Sequence, residues 1–151
     1  MPAVSQVTSG SSSEKHYYVF GYDGTSVGEA KATANYSNYG VLYNWTATIN
    51  GSAGSDSNPS GVQGVCPSGW HLPSDAEWKE MEKTLGMTQD QADATGYRGT
   101  DQGSQIKTSN GWTNAGNGTN SSGFSALPGG TRDYNGVFAP QIGGASGRER
   151  V

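Results

Sequence analysis

The chain has 151 residues, 24 of them glycine, with only 32% apolar residues, 15% charged residues and a formal net charge of −4. One domain's worth of chain at this length can bury a core, and nine basic residues without a basic run leave a nucleic-acid role with no electrostatic support. No apolar run approaches the length of a membrane span, the first residues lack the regions of a signal peptide, and the single cysteine, Cys66, rules out an intramolecular disulfide or a CxxC metal site.

Glycine, serine, threonine and asparagine dominate, as in loop-rich extracellular β proteins. Four Trp, eight Tyr and three Phe argue against disorder, because such side chains bury large areas where aliphatic residues are few.

In chain order, residues 1–15 are Ser-rich and aperiodic and are expected to be a flexible leader. The domain proper is expected over 16–139. Tyr17-Tyr18-Val19-Phe20 has strong β-propensity and predicts a first strand, closed by the Asp23-Gly24 turn signal. Ala and Glu between Ser26 and Asn35 predict a short helix. From Val41 to Ile49, alternation of Val41, Tyr43, Trp45 and Ala47 with Leu42, Asn44, Thr46 and Thr48 predicts the longest strand. A Gly/Ser/Asp/Asn loop follows over 51–64.

The stretch from Gly64 to Trp78 organises the rest. Ser74 is an N-cap, Glu77 completes a capping box, and a helix is expected to begin at Asp75. Trp78, Met81 and Leu85 share one helix face, Lys79, Glu80, Glu82 and Lys83 fall mostly on the other, and Gly86 is placed to end the helix. Thr88 and Gln91 form a second capping box, with Gly96 as its stop. Ser104 to Thr108 is expected to be a brief strand. Residues 111–123 are polar around Trp112, and Phe124 to Leu127 is the last apolar segment before the Pro128-Gly129-Gly130 turn.

Three segments carry a family resemblance: Tyr39-Gly40-Val41-Leu42-Tyr43-Asn44-Trp45, then Gly61 to Trp78 with its Gly64-Val65-Cys66-Pro67-Ser68-Gly69-Trp70-His71-Leu72-Pro73 centre, then Gly123-Phe124-Ser125-Ala126-Leu127-Pro128-Gly129-Gly130. In content, order and spacing they resemble the Fibrobacter succinogenes major paralogous domain, from about Tyr17 to about Phe138. That resemblance implies an α+β, C-type-lectin-like fold with a small twisted antiparallel sheet, two short helices and long loops. It also implies kinship with formylglycine-generating sulfatase-modifying domains, whose Leu-Pro-x-x-x-Glu-Trp helix start is similar. Those domains use cysteines late in the chain; none is present here, so that activity is expected to be absent. Family members continue into a Tyr- and Trp-rich final strand region with a cysteine that looks like the partner of the one at Cys66. Residues 140–151 match nothing in that pattern, which suggests a C-terminally truncated domain with Cys66 buried or free to cross-link two chains. The relatives look secreted or surface-attached, and the same localisation is expected here.

The acid–base candidates are His71, Asp75, Glu77 and Asp101, and the candidate nucleophiles are Ser68, Ser74 and Cys66, with His71, Asp75 and Asp101 the set for a catalytic reading. Capping and the helix dipole account for Ser74, Glu77 and Asp75 without catalysis, and His71 reads more readily as a structural histidine. His16, the other imidazole, falls at the leader, so a two-histidine zinc site is not expected. By analogy with C-type lectins, calcium is the ion to consider, with loop oxygens from Asp101, Asn110 and Asp133 as ligands. Exposed aromatic faces stack on sugar rings, and Tyr97, Trp112 and Tyr134 lie among loop residues and are the candidates; Trp70 and Trp78 are assigned to the core. The expectation is an extracellular non-catalytic binding module for a polysaccharide or a surface protein. Its rivals are a small hydrolase using His71 with a carboxylate, and an assembly domain completed by a second chain through an open sheet edge or Cys66.

Overall fold

A computed structural model describes residues 13–140. The first twelve residues of the expected leader and all but Pro140 of the expected tail lie outside the described residues. The chain divides into two compact units, one formed by residues 13–55, Gly61–Leu72 and Gly129–Pro140, the other by Asp56–Ser60 and Pro73–Pro128. The division falls inside the stretch that organises the sequence, between Leu72 and Pro73.

In the first unit, strand β1 (Tyr17–Tyr18) pairs antiparallel with β2 (Leu42–Tyr43), Tyr17 opposite Tyr43 and Tyr18 opposite Leu42. Between them run helices α1 (Val27–Ala32) and α2 (Ala34–Tyr39), each started by a hydroxyl cap: Ser26 Oγ accepts from Glu29 N–H and Thr33 Oγ1 from Tyr36 N–H. Val19 and Ala30, both fully buried, form the core with Tyr22, Val27 and Tyr36 packed against them. A second ribbon joins β3 (Thr131–Arg132) to β4 (Phe138–Ala139). It packs edge-on, the Phe20 and Phe138 rings 5.5 Å apart, and a Cβ at Gly130 would meet the Phe20 ring at 2.3 Å.

The strand expected over 41–49 is instead β2 followed by helix α3 (Trp45–Ile49). Asn44 decides this: its Oδ1 accepts from Ala47 N–H and from His16 N–H, so it caps a helix while tying that helix to the start of β1. Alternation counted apolar residues correctly, but the cap overrode the period. His16 is likewise not a leader residue; it is buried, its ring stacked on Tyr18. The two antiparallel ribbons are separate rather than one sheet, and the described residues hold six helices rather than two. Mixed helices and small antiparallel ribbons make this an α+β fold.

The second unit is built on α4 (Asp75–Thr84), with α5 (Gln89–Asp93) and α6 (Gln102–Ile106). Both expected capping boxes form, at Ser74/Glu77 and Thr88/Gln91, and Gly86 takes a positive φ of 100°. Helix α5 ends at Asp93, capped at Ala94, before the expected stop at Gly96. Ser104 to Thr108 is mostly helix, with only Lys107 bridged to Ala126 as in a strand. Glu82, assigned to the polar face of α4, is almost fully buried, because Arg98 reaches it with a guanidinium that also donates to Ala94 O. A buried carboxylate is tolerable only with such a partner.

Candidate functional site

The second unit carries an open groove of about 300 Å³ lined by Met81 and Thr84 of α4, Leu85 at its C-cap, Ile106 of α6, and Ser122, Gly123 and Phe124. The capping box sets the first wall: Ser74 Oγ accepts from Glu77 N–H at 3.2 Å, while Glu77 Oε2 accepts from Ser74 N–H at 2.9 Å and from Ser60 N–H at 3.1 Å. With the helix start pinned, the 3.6-residue period brings Met81 and Leu85 to one face.

The opposite wall is a loop strapped to α6 by main-chain bonds. Thr119 N–H donates to Ser104 O, Ser122 N–H and its Oγ both donate to Gln105 O, and Ala126 N–H donates to Ile106 O, all at 2.8 to 3.1 Å. These bonds hold Phe124 half-exposed at the groove, its ring 6.3 Å from Trp78. Apolar side chains make most of the lining, with two hydroxyls and no ionisable group.

Around the groove's unit, the expected site residues are dispersed. Tyr97 is 84% exposed. Trp112 is half-buried: its Nε1 donates to Thr108 Oγ1 at 3.0 Å, its backbone N–H donates to Asn117 Oδ1 at 3.0 Å, and Lys107 Nζ stands 5.1 Å from the ring centroid. Lys107 is itself buried, and that burial pushes its ammonium below the usual lysine range. Asp75 pairs with Lys79 at 3.3 Å across one turn of α4. Lys79 also bonds Asp93, and that bond, with one from Gln89, holds the Asp93 carboxyl below its ordinary value. Asp101 accepts from Thr100 Oγ1 and from Gln105 Nε2. Asn110 is exposed.

His71, Tyr134 and Asp133 belong to the first unit, so neither the His71–carboxylate pairing nor the Asp101, Asn110 and Asp133 oxygen set lies within one unit. His71 is exposed. Asp133 Oδ1 accepts the N–H groups of Asn135 and Val137, both at 2.9 Å, closing the β3–β4 turn that presents Tyr134 at 73% exposure. Trp70, assigned to the core, is 72% exposed, because the Trp70 N–H to Pro67 O turn carries its ring outward. Trp78 is half-buried, and Cys66 is a half-buried free thiol. Among the described residues, no three of His, Cys, Asp and Glu gather as metal ligands.

The groove residues themselves are legible in part. Met81 and Leu85 carry the helical period and Phe124 opens the last apolar segment, but all three read as core. Nothing local says that the face they share stays uncovered.

The family model for the Fibrobacter succinogenes major domain matches residues 4–145. The chain belongs to that family. The match takes in both halves of the groove and residues on either side of 16–139. No curated protein and no solved structure matches the chain. Among the described residues no helix of this Fibrobacter succinogenes major domain is long and apolar enough to cross a membrane.

Proposed function

We propose that this domain is a secreted or surface-borne, non-catalytic binding module that docks an apolar side chain of a protein partner in the α4/α6 groove. The groove lining carries the reading: Met81, Leu85, Ile106 and Phe124 offer apolar surface, Thr84 and Ser122 offer two hydroxyls, and no lining side chain is an acid or a base. Such apolar concavities with a few orienting polar groups are typical ligand sites. The C-type-lectin-like relationship is part of the same reading and is supported by the α+β content.

A polysaccharide ligand is the second reading, favoured by the 84% exposure of Tyr97, whose ring face is open for stacking. One experiment separates the two and the hydrolase. The purified chain is challenged with immobilised cell-surface protein and, separately, with insoluble polysaccharides, with calcium and with chelator, and the supernatant is assayed for released sugar. Phe124→Asp is expected to weaken protein retention roughly thirtyfold, the effect of a central hot spot of about 2 kcal/mol, while Tyr97→Ala leaves it intact. Polysaccharide retention lost in Tyr97→Ala selects the second reading, and dependence on calcium adds the ion to it. Sugar release abolished by His71→Ala replaces both with the hydrolase.

A further inference from the structure

We propose that Asn110-Gly111 is a self-modification site, at which the asparagine converts through a succinimide to isoaspartate and aspartate and thereby remodels the Trp112 turn.

Four Asn-Gly pairs lie in the described chain: Asn50-Gly51, Asn110-Gly111, Asn117-Gly118 and Asn135-Gly136. Glycine offers the least steric hindrance to attack by its own backbone nitrogen, so all four are chemically competent. The fold separates them. Gly118 N–H is bonded to Thr108 O at 2.9 Å and Gly136 N–H to Asp133 O at 3.0 Å, so both nucleophiles are occupied. Asn50 sits in the left-handed region at φ 50° and ψ 39°, which turns the Gly51 nitrogen to the far side of Cα from the Asn50 side chain. Its Oδ1 is held by Lys15 Nζ at 2.7 Å as well.

Asn110 has none of these restraints. It is exposed, and among the described residues neither its side-chain amide nor the Gly111 N–H makes a hydrogen bond. Its main-chain carbonyl accepts from Thr108 Oγ1 at 2.9 Å. That bond withdraws density from the Asn110–Gly111 peptide and makes the Gly111 N–H easier to deprotonate.

The chemistry needs only water. Gly111 nitrogen gives its proton to solvent and bonds to Asn110 Cγ; solvent returns a proton to Nδ2, the Cγ–Nδ2 bond breaks and ammonia leaves. Water then opens the ring at either carbonyl. Attack at the main-chain carbonyl yields isoaspartate, attack at Cγ yields aspartate, and nothing is oxidised or reduced.

Thr108 Oγ1 also accepts from Trp112 Nε1, so one hydroxyl ties the modified residue to the ring. Isoaspartate lengthens the backbone by one carbon inside that turn and adds a carboxylate to it. The Trp112 indole is therefore repositioned by the conversion.

The test is peptide mapping of the full chain incubated at mildly alkaline pH, native and in urea, with isoaspartate quantified at each pair. In urea all four pairs are expected to convert at similar rates. In the native chain Asn110 is expected to convert roughly tenfold or more faster than the other three, since Asn117 and Asn135 must first break a glycine hydrogen bond and Asn50 must leave its backbone basin. Thr108→Val is expected to slow Asn110 and leave the others unchanged. Native conversion at Asn50, Asn117 or Asn135 that equals Asn110 overturns the proposal, as does a native Asn110 that stays intact while the unfolded chain converts.

Discussion

Each unit buries a guanidinium, and they do it by different means. In the first, Arg132 lies between two rings, its Cζ 4.6 Å from the Tyr18 centroid and 4.5 Å from that of Phe138, and its carboxylate partner Asp23 is 75% exposed. In the second, Arg98 and Glu82 are both almost fully buried and face each other directly. An arginine between π faces keeps its charge with little help from a counter-ion, and its proximity opposes the rise that burial imposes on the Tyr18 phenol. A buried ion pair depends far more on the partner, because desolvation has already been incurred by both groups.

The largest expected effect comes from breaking the buried pair. Glu82→Leu is expected to destabilise the chain by about 3–5 kcal/mol in urea denaturation, because it strands the Arg98 charge. The double change Glu82→Leu with Arg98→Met should restore most of that loss, since the apolar pair leaves no buried charge. A single variant within about 1 kcal/mol of the parent would mean that Arg98 escapes to water instead.

The aromatic sandwich should yield a smaller loss. Arg132→Met is expected to cost about 1–2 kcal/mol, retaining much of the stem's packing while losing the cation over the two rings. Asp23→Asn should cost less than about 1 kcal/mol and lose even that at high salt, as an exposed partner does. Equal losses for Arg132→Met and Asp23→Asn would collapse the distinction between the units.

Lys107 over Trp112 is the third buried cation, and it sharpens the comparison because it stands over a ring within the second unit. Its folded-state pKa is lowered by burial. Between that lowered value and the ordinary lysine value the unfolded chain binds more protons, so stability rises with pH through the window. Comparison with Lys107→Met by denaturation across alkaline pH is expected to show this rise in the parent only. It should be the smallest of the three effects, and a parent profile parallel to the variant's would mean that burial does not strain the ammonium.

Local chemistry made much of the second unit legible. Ser74 with Glu77 and Thr88 with Gln91 form their capping boxes because cap and acceptor lie within one turn and need no distant partner. The first unit was harder to read. Its Val41–Ile49 alternation was overridden by Asn44, whose cap is local but is reinforced by His16, 28 residues away. Trp70 reads as core from its size and setting, yet a turn at Pro67 exposes it. For the site, Tyr97 and Tyr134 were placed in loops and are exposed as expected, whereas the groove was hidden because Met81 and Phe124 come from segments that meet only after folding.

By itself the sequence determined the family, the α+β class, the starts of α4 and α5 and the exposure of Tyr97 and Tyr134, since each depends on spacing or on a cap within a few residues. Only the tertiary structure decided that Glu82 is buried against Arg98, that Arg132 is held by Tyr18 and Phe138, and that, among the described residues, Asn110 of the four Asn-Gly pairs combines a glycine nitrogen and an amide that both make no hydrogen bond. Burial and hydrogen-bond satisfaction are properties of neighbours brought together across the chain, and periodicity carries no record of them.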